Sequence, residues 1–228
     1  MLRQKHTLYC FSPDVMLVTL VVEIILALYT FLRYRMTHFG VVVSAILLLL
    51  AVFQIAEYQI CGGDNPVLWA RIGMIAITLL PILGLHLIML VNGTERFLKA
   101  IYLVTIASII FFFFSPTAIS DAMCGGNYVI FESTHPLYQF YALYYFGLLF
   151  VGIWKIYEQV ASREHNTRKR SVLLWILAGY LSFMLPTAIV YGFYESTIVG
   201  IPSIMCGFAV IFALMLALRA APIYHEAE

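Results

Sequence analysis

Charge is what this sequence has least of. Only 11% of its 228 residues are Asp, Glu, Lys or Arg, against roughly 25% in an ordinary soluble domain. With 63% hydrophobic residues and a mean hydropathy of +0.94, a soluble fold would have to expose the large apolar patches that mark interfaces or drive aggregation. Lipid must therefore solvate much of the surface. The formal net charge of +1 offers no basic surplus for a nucleic acid. Catalytic signatures are missing too: there is no HExxH, histidine-box set, GxSxG, phosphate-binding loop or DxxD acidic pair, so no enzyme is expected. No CxxC or His pair accompanies the cysteines, so neither a metal nor another cofactor is expected. The last apolar stretch lacks lysine, which excludes a retinal Schiff base of the rhodopsin type.

What is present is a series of apolar stretches at 15–32, 41–58, 67–91, 97–114, 137–157, 171–191 and 197–218. Each is near the roughly 20 residues that cross a hydrocarbon core as helix. None alternates in the manner of a barrel strand, and helices or closed barrels alone satisfy the backbone in lipid. The expected fold is an all-α membrane protein: one seven-helix transmembrane domain over 1–228, in the cell's inner (cytoplasmic) membrane. With the N-terminus outside, ten of the thirteen basic residues fall inside and only Arg3, Lys5 and Arg71 outside, the positive-inside pattern. The C-terminus is then cytoplasmic. Arg3 and Lys5 ahead of an apolar run also resemble a signal-peptide start. The run has no small-residue cleavage site and reaches spanning length, so it reads as the first helix.

The word Cys-Gly-Gly occurs at Cys61 and again at Cys124, both on the expected outer side, the second within the long connection 115–136. Extracytoplasmic cysteines in turn contexts can pair. A Cys61–Cys124 bridge tying that connection over the bundle mouth is the expectation, with Cys10 a competitor for either partner and Cys206 a small core residue.

Ionisable residues within the apolar stretches are few, and each should face the bundle interior or a watery cavity. Glu57 and Arg71 lie near the outer ends of consecutive helices, at similar depth, so an ion pair between them is expected. Glu23 stands ten residues before Arg33, about 15 Å along a helix, near mid-membrane and without a base at that depth. His86 reads as a hydrogen-bonded core histidine. Tyr141, Tyr144 and Tyr145 are spaced to share a helix face that could line a pocket. Pro81, Pro186 and Pro202 permit kinks.

Several of these features together resemble the N-terminal seven-transmembrane region found ahead of some prokaryotic histidine kinases. They are Glu57, the run Trp69-Ala-Arg-Ile-Gly73 with Pro81, and His135-Pro-Leu before the aromatic stretch 141–148. Arg168-Lys-Arg170 and Leu185-Pro186 follow, then Gly200-Ile-Pro-Ser. The resemblance implies a sensor bundle, though only nine residues follow Arg219 and none forms a kinase domain. The expected function is a receptor-like sensor that binds a small or lipid-like ligand from the outer side and signals through a separate partner or a homodimer. Glu23, Glu57, Arg71, Tyr141 and Tyr145 are the candidate contacts. The alternative is a transporter or channel for a small molecule, ion or proton, with Glu23 as its mid-membrane site.

Overall fold

In the computed structural model, the described residues are 13–94, 97–125, 128–162, 167–193 and 200–226. The residues Arg3, Lys5, Cys10, Arg96 and Arg163, the start of the last apolar stretch at 197–199 and most of the loop before it lie outside them. The helices are α1 (Pro13–Tyr34), α2 (His38–Gly62), α3 (Pro66–Asn92), α4 (Leu98–Phe114), α5 (Leu137–Ala161), α6 (Thr167–Phe193) and α7 (Ile201–Met215). A π-helical stretch, Leu216–Ala220, and a last helical segment, Ala221–His225, continue α7 without a break. A two-stranded antiparallel hairpin, β1 (Asp121–Cys124) and β2 (Val129–Glu132), sits between α4 and α5.

This is an all-α membrane bundle. Six helices are long and apolar enough to cross a membrane, α7 with its continuation spanning Ile201–His225, and α4 is a shorter apolar helix of 17 residues. α1 shows the lipid-facing logic most clearly. Val18, Val21, Ile25, Leu28 and Leu32 are exposed, whereas the opposite stripe of Met16, Thr19, Glu23, Leu26, Ala27, Thr30 and Tyr34 is buried. The stripe repeats at three- and four-residue spacing, as a helix face does, and it carries the polar residues inward. α2 lies centrally, packed along both α1 and α3, and buries Val43, Ile46, Leu47, Leu50, Phe53, Gln54, Glu57 and Ile60.

Local signals place the helix ends. Thr37 caps α2, its hydroxyl accepting from the Gly40 N–H at 3.0 Å, and the turn before α3 sets Asn65 in the left-handed region (φ 64°) ahead of Pro66 in the first turn. Proline suits that position because its missing N–H is unpaired there anyway.

The hairpin closes one end of the bundle. Cys61 and Cys124 form a disulfide with a Cα–Cα distance of 4.9 Å. Val129 and Phe131 of the hairpin and Ala118 and Ile119 before it are buried in the same core as the helices, and Phe131 meets Phe53 of α2 at 6.1 Å. At the start of α7, Gly200 leaves room for Tyr128, whose ring would lie 2.1 Å from a Cβ there. The opposite end is tied by rings: Phe39 stacks on Tyr224 at 4.3 Å, Tyr34 meets His225 at 5.5 Å, and Arg219 in the π-helical stretch lies 5.5 Å over Trp175.

Candidate functional site

Two carboxyl groups are buried where the sequence placed its ionisable candidates. Glu23 of α1 is 0% exposed and Glu57 of α2 is 1% exposed, and they are near enough to interact electrostatically. Both oxygens of Glu23 and the Oε1 of Glu57 lack a hydrogen-bond partner among the described residues. The remaining side of Glu57 is hydrogen bonded to Ser203 of α7. Ser203 Oγ also accepts from the Val129 N–H of the hairpin at 3.2 Å. A single buried hydroxyl thus joins a carboxyl group, a membrane helix and the disulfide-tied hairpin.

The expected Glu57–Arg71 ion pair does not form. Arg71 donates to the carbonyl of Phe113 at 3.2 Å, one of the carbonyls that the last turn of α4 leaves without a helical partner. The two residues share a depth but not a direction. Glu57 points along α2 toward α7, whereas Arg71 occupies the side of α3 that faces α4.

The tyrosines of α5 divide by role. Thr78 Oγ1 of α3 donates to Tyr141 Oη at 3.1 Å, Tyr144 Oη donates to the Thr78 carbonyl at 3.0 Å, and Tyr144 and Thr105 hydroxyls are 2.8 Å apart. Tyr141 and Tyr144 therefore knit α3, α4 and α5 together. His86 is held the same way, its Nδ1 2.8 Å from Tyr102 Oη. Tyr145 instead turns toward a cavity of about 20 Å³ in the bundle interior, which it lines with Tyr180, Phe183, Phe212, Cys206 and Met205.

Tyr180 was not marked by any sequence signal, being one aromatic among many on an apolar helix. It is 1% exposed and its hydroxyl has no partner among the described residues. It fits because α3 and α5 present glycines: a Cβ on Gly84 would lie 2.2 Å from the hydroxyl, and one on Gly152 3.1 Å from the ring. Ser203 was visible only as the end of the Gly200-Ile-Pro-Ser run. Cys206, free and buried, completes the group, with Glu57 and Glu23 both close enough to act on its thiol electrostatically.

Met205 also forms part of a second space. Between α5 on one side and α6 and α7 on the other runs an apolar groove of about 360 Å³, lined by Phe146, Phe150, Thr187, Ala188, Tyr191 and Met205 among others. Phe150 and Tyr191 are exposed at its rim, 61% and 40%. The hairpin covers the end of the bundle, and the groove opens laterally between the helices.

No protein-family model matches the chain, and no curated protein matches it in sequence. The functional reading therefore rests on the residues. Among the described residues no cluster of three or more His, Cys, Asp or Glu is arranged to hold a metal ion.

Proposed function

We propose that the chain is a receptor-like membrane sensor of seven spans, with the hairpin outside and the C-terminal segment in the cytoplasm. The observation that carries the reading is the junction at Ser203, which couples the hairpin and buried Glu57 to α7. α7 is held at the hairpin end by that junction, and its continuation is held at the other end through Tyr224, His225 and Arg219. A change in occupancy around Glu57 alters the contacts of one end of a continuous helix, and a two-state repacking of its far end is the output. Orientation is supported by the basic residues. Arg33, Arg35, Lys99, Lys155, Arg168, Lys169, Arg170 and Arg219 lie toward the end away from the hairpin, and Arg71 alone of the described basic residues lies toward it, the distribution expected of a cytoplasmic-membrane protein. The ligand is small or lipid-like, and the output passes to a separate partner or a second copy of the chain. The resemblance to the membrane region of histidine kinases favours the same role.

Proton or cation movement through Glu23 is the second reading, favoured by the absence of a partner for either carboxyl oxygen among the described residues. Hydrogen exchange in reconstituted protein separates the two. Reducing the Cys61–Cys124 bond should speed exchange in 216–225, at the far end of α7. Unchanged exchange there, with a proton flux into vesicles that Glu23→Gln abolishes, would overturn the sensor in favour of the transporter.

A further inference from the structure

We infer that the Cys61–Cys124 bond is an input of the sensor: a thiol–disulfide exchange site at the hairpin end whose substrate is a small dithiol. The inference rests on the sensor reading and names the chemistry of its signal.

Three observations carry it. The first is access. Cys124 is exposed, Cys61 is half-buried, and the turn that follows it, Gly62 to Asn65, is exposed throughout. A Cβ added at Gly62 would meet nothing within 4 Å. Exchange needs a thiolate to reach a sulfur. This bond lies at the surface, whereas Cys206, the free cysteine of the described residues, is buried.

The second is connection. In the hairpin register Cys124 stands opposite Val129, whose N–H donates to Ser203 Oγ at 3.2 Å. Ser203 is hydrogen bonded in turn to Glu57, which precedes Cys61 on α2 by about one helical turn. These five residues close a ring through α2, the hairpin and α7, and the disulfide is the covalent cross-link in it. Val129 is 0% exposed. A hairpin that shifts when the bond is cut therefore strips a buried N–H of its acceptor, and the loss is felt at Ser203.

The third is the spacing, which selects a dithiol. The Cα atoms of Cys61 and Cys124 are 4.9 Å apart, and the elements that carry them are anchored in the core, α2 through Phe53 and the hairpin through Phe131. A thiolate that attacks Cys124 Sγ breaks the bond, and the electron pair leaves on Cys61 Sγ. Against a monothiol, Cys61 stays beside the mixed disulfide and re-attacks it, expelling the reagent. A dithiol competes through its second thiolate. That thiolate attacks the reagent's own sulfur in the mixed disulfide, Cys124 Sγ leaves with the electron pair, and the reagent departs as a cyclic disulfide. Two electrons pass from the dithiol to the cystine, and its two protons end on Cys61 and Cys124.

The test uses whole protein in phosphatidylcholine vesicles, with dithiothreitol as the dithiol and mercaptoethanol as the monothiol at equal thiol concentration. Opened cysteines are trapped with a maleimide and mapped by mass spectrometry. Dithiothreitol should open the bond of the folded protein within about tenfold of its rate on the chain in denaturing detergent, because a bond that waits for unfolding is slowed by roughly 10³ or more. Mercaptoethanol should open about tenfold fewer chains, since Cys61 re-closes its adducts. Ser203→Ala with the bond intact should reproduce the faster exchange at 216–225, and cutting the bond in that variant should add little. Reduction slower than the tenfold margin, or matched by mercaptoethanol, would overturn the exchange site, and full additivity of Ser203→Ala with reduction would overturn its route through Ser203. Exchange at 216–225 in Cys61→Ser, which has no bond to cut, tests the sensor reading by itself. Faster exchange in that variant, beside a wild-type bond closed to dithiothreitol, removes the redox input and leaves the sensor standing; unchanged exchange removes the sensor.

Discussion

Tyr180 and Gly84 give the sharpest test of the packing, through a pair of substitutions that should cancel. A Cβ added at Gly84 falls 2.2 Å from the Tyr180 hydroxyl and 3.2 Å from its Cζ, so the ring must retreat by more than an ångström. It has little freedom to do so, with Phe212 at 5.5 Å, Phe183 at 5.9 Å and only the cavity of about 20 Å³ beside it. Gly84→Ala should therefore cost about 1–3 kcal/mol, the usual range for overpacking a close-packed core. Tyr180→Phe has the opposite sign. It deletes a buried hydroxyl that has no partner among the described residues and should stabilise the protein by about 1–3 kcal/mol, the desolvation penalty of such a group. In the double variant the 2.2 Å contact no longer exists, and the remaining 3.2 Å contact to Cζ needs a shift of a few tenths of an ångström. The coupling energy between the two sites should thus be favourable by about 1–3 kcal/mol. Unfolding of the four proteins in one detergent, followed by thermal or denaturant titration, measures it. If Gly84→Ala costs as much beside Phe as beside Tyr, or if Tyr180→Phe is the less stable protein, the geometry claimed for this contact is wrong.

Two further outcomes follow from the hairpin end. The Cys61–Cys124 bond closes a separation of 63 residues, worth about 4 kcal/mol for a random coil; because α3 and α4 fill most of that loop and stay helical in lipid, Cys61→Ser should lose nearer ~3 kcal/mol. Thermal unfolding with and without reductant checks this, since the wild type should fall to the level of the variant and the variant should not respond. Arg71→Ala should cost about 1 kcal/mol through the lost Phe113 contact. Because Glu57 bonds Ser203 instead, combining it with Glu57→Gln should be additive within ~0.5 kcal/mol, and a larger coupling in a double-mutant cycle would restore the ion pair.

Much of this architecture is written in periodicity. The helical stretches at 41–58 and 67–91 correspond to α2 and α3 with one to four extra residues at each end, because capping groups such as Thr37 and Pro66 sit outside the apolar run that announces a helix. The repeated Cys-Gly-Gly word identified the disulfide, since a covalent pairing needs few candidates and both copies fell on one side. Direction around a helix was harder to read. Hydropathy gives depth, which is why Glu57 and Arg71 looked like partners, but their bearing depends on which neighbours α2 and α3 meet. The hairpin was invisible for a related reason: Ala118, Ile119, Val129 and Phe131 are too few and too mixed with polar residues to show a strand pattern, and they are ordered by the helix ends beneath them. Of the aromatic cavity only Tyr145 was legible. Its walls come from α2, α3, α5, α6 and α7, and nothing local distinguishes Phe183 or Phe212 from any other lipid-compatible residue until these helices converge.

The bond between Cys61 and Cys124 also bears on how the chain is made. Its two sulfurs are separated along the sequence by α3 and α4, so they can meet only if the chain emerges from this helix pair on the side from which it entered. Oxidation is thus a checkpoint on insertion: a chain in which only one helix of this pair crosses leaves its thiols on opposite faces of the bilayer, where no bond can form.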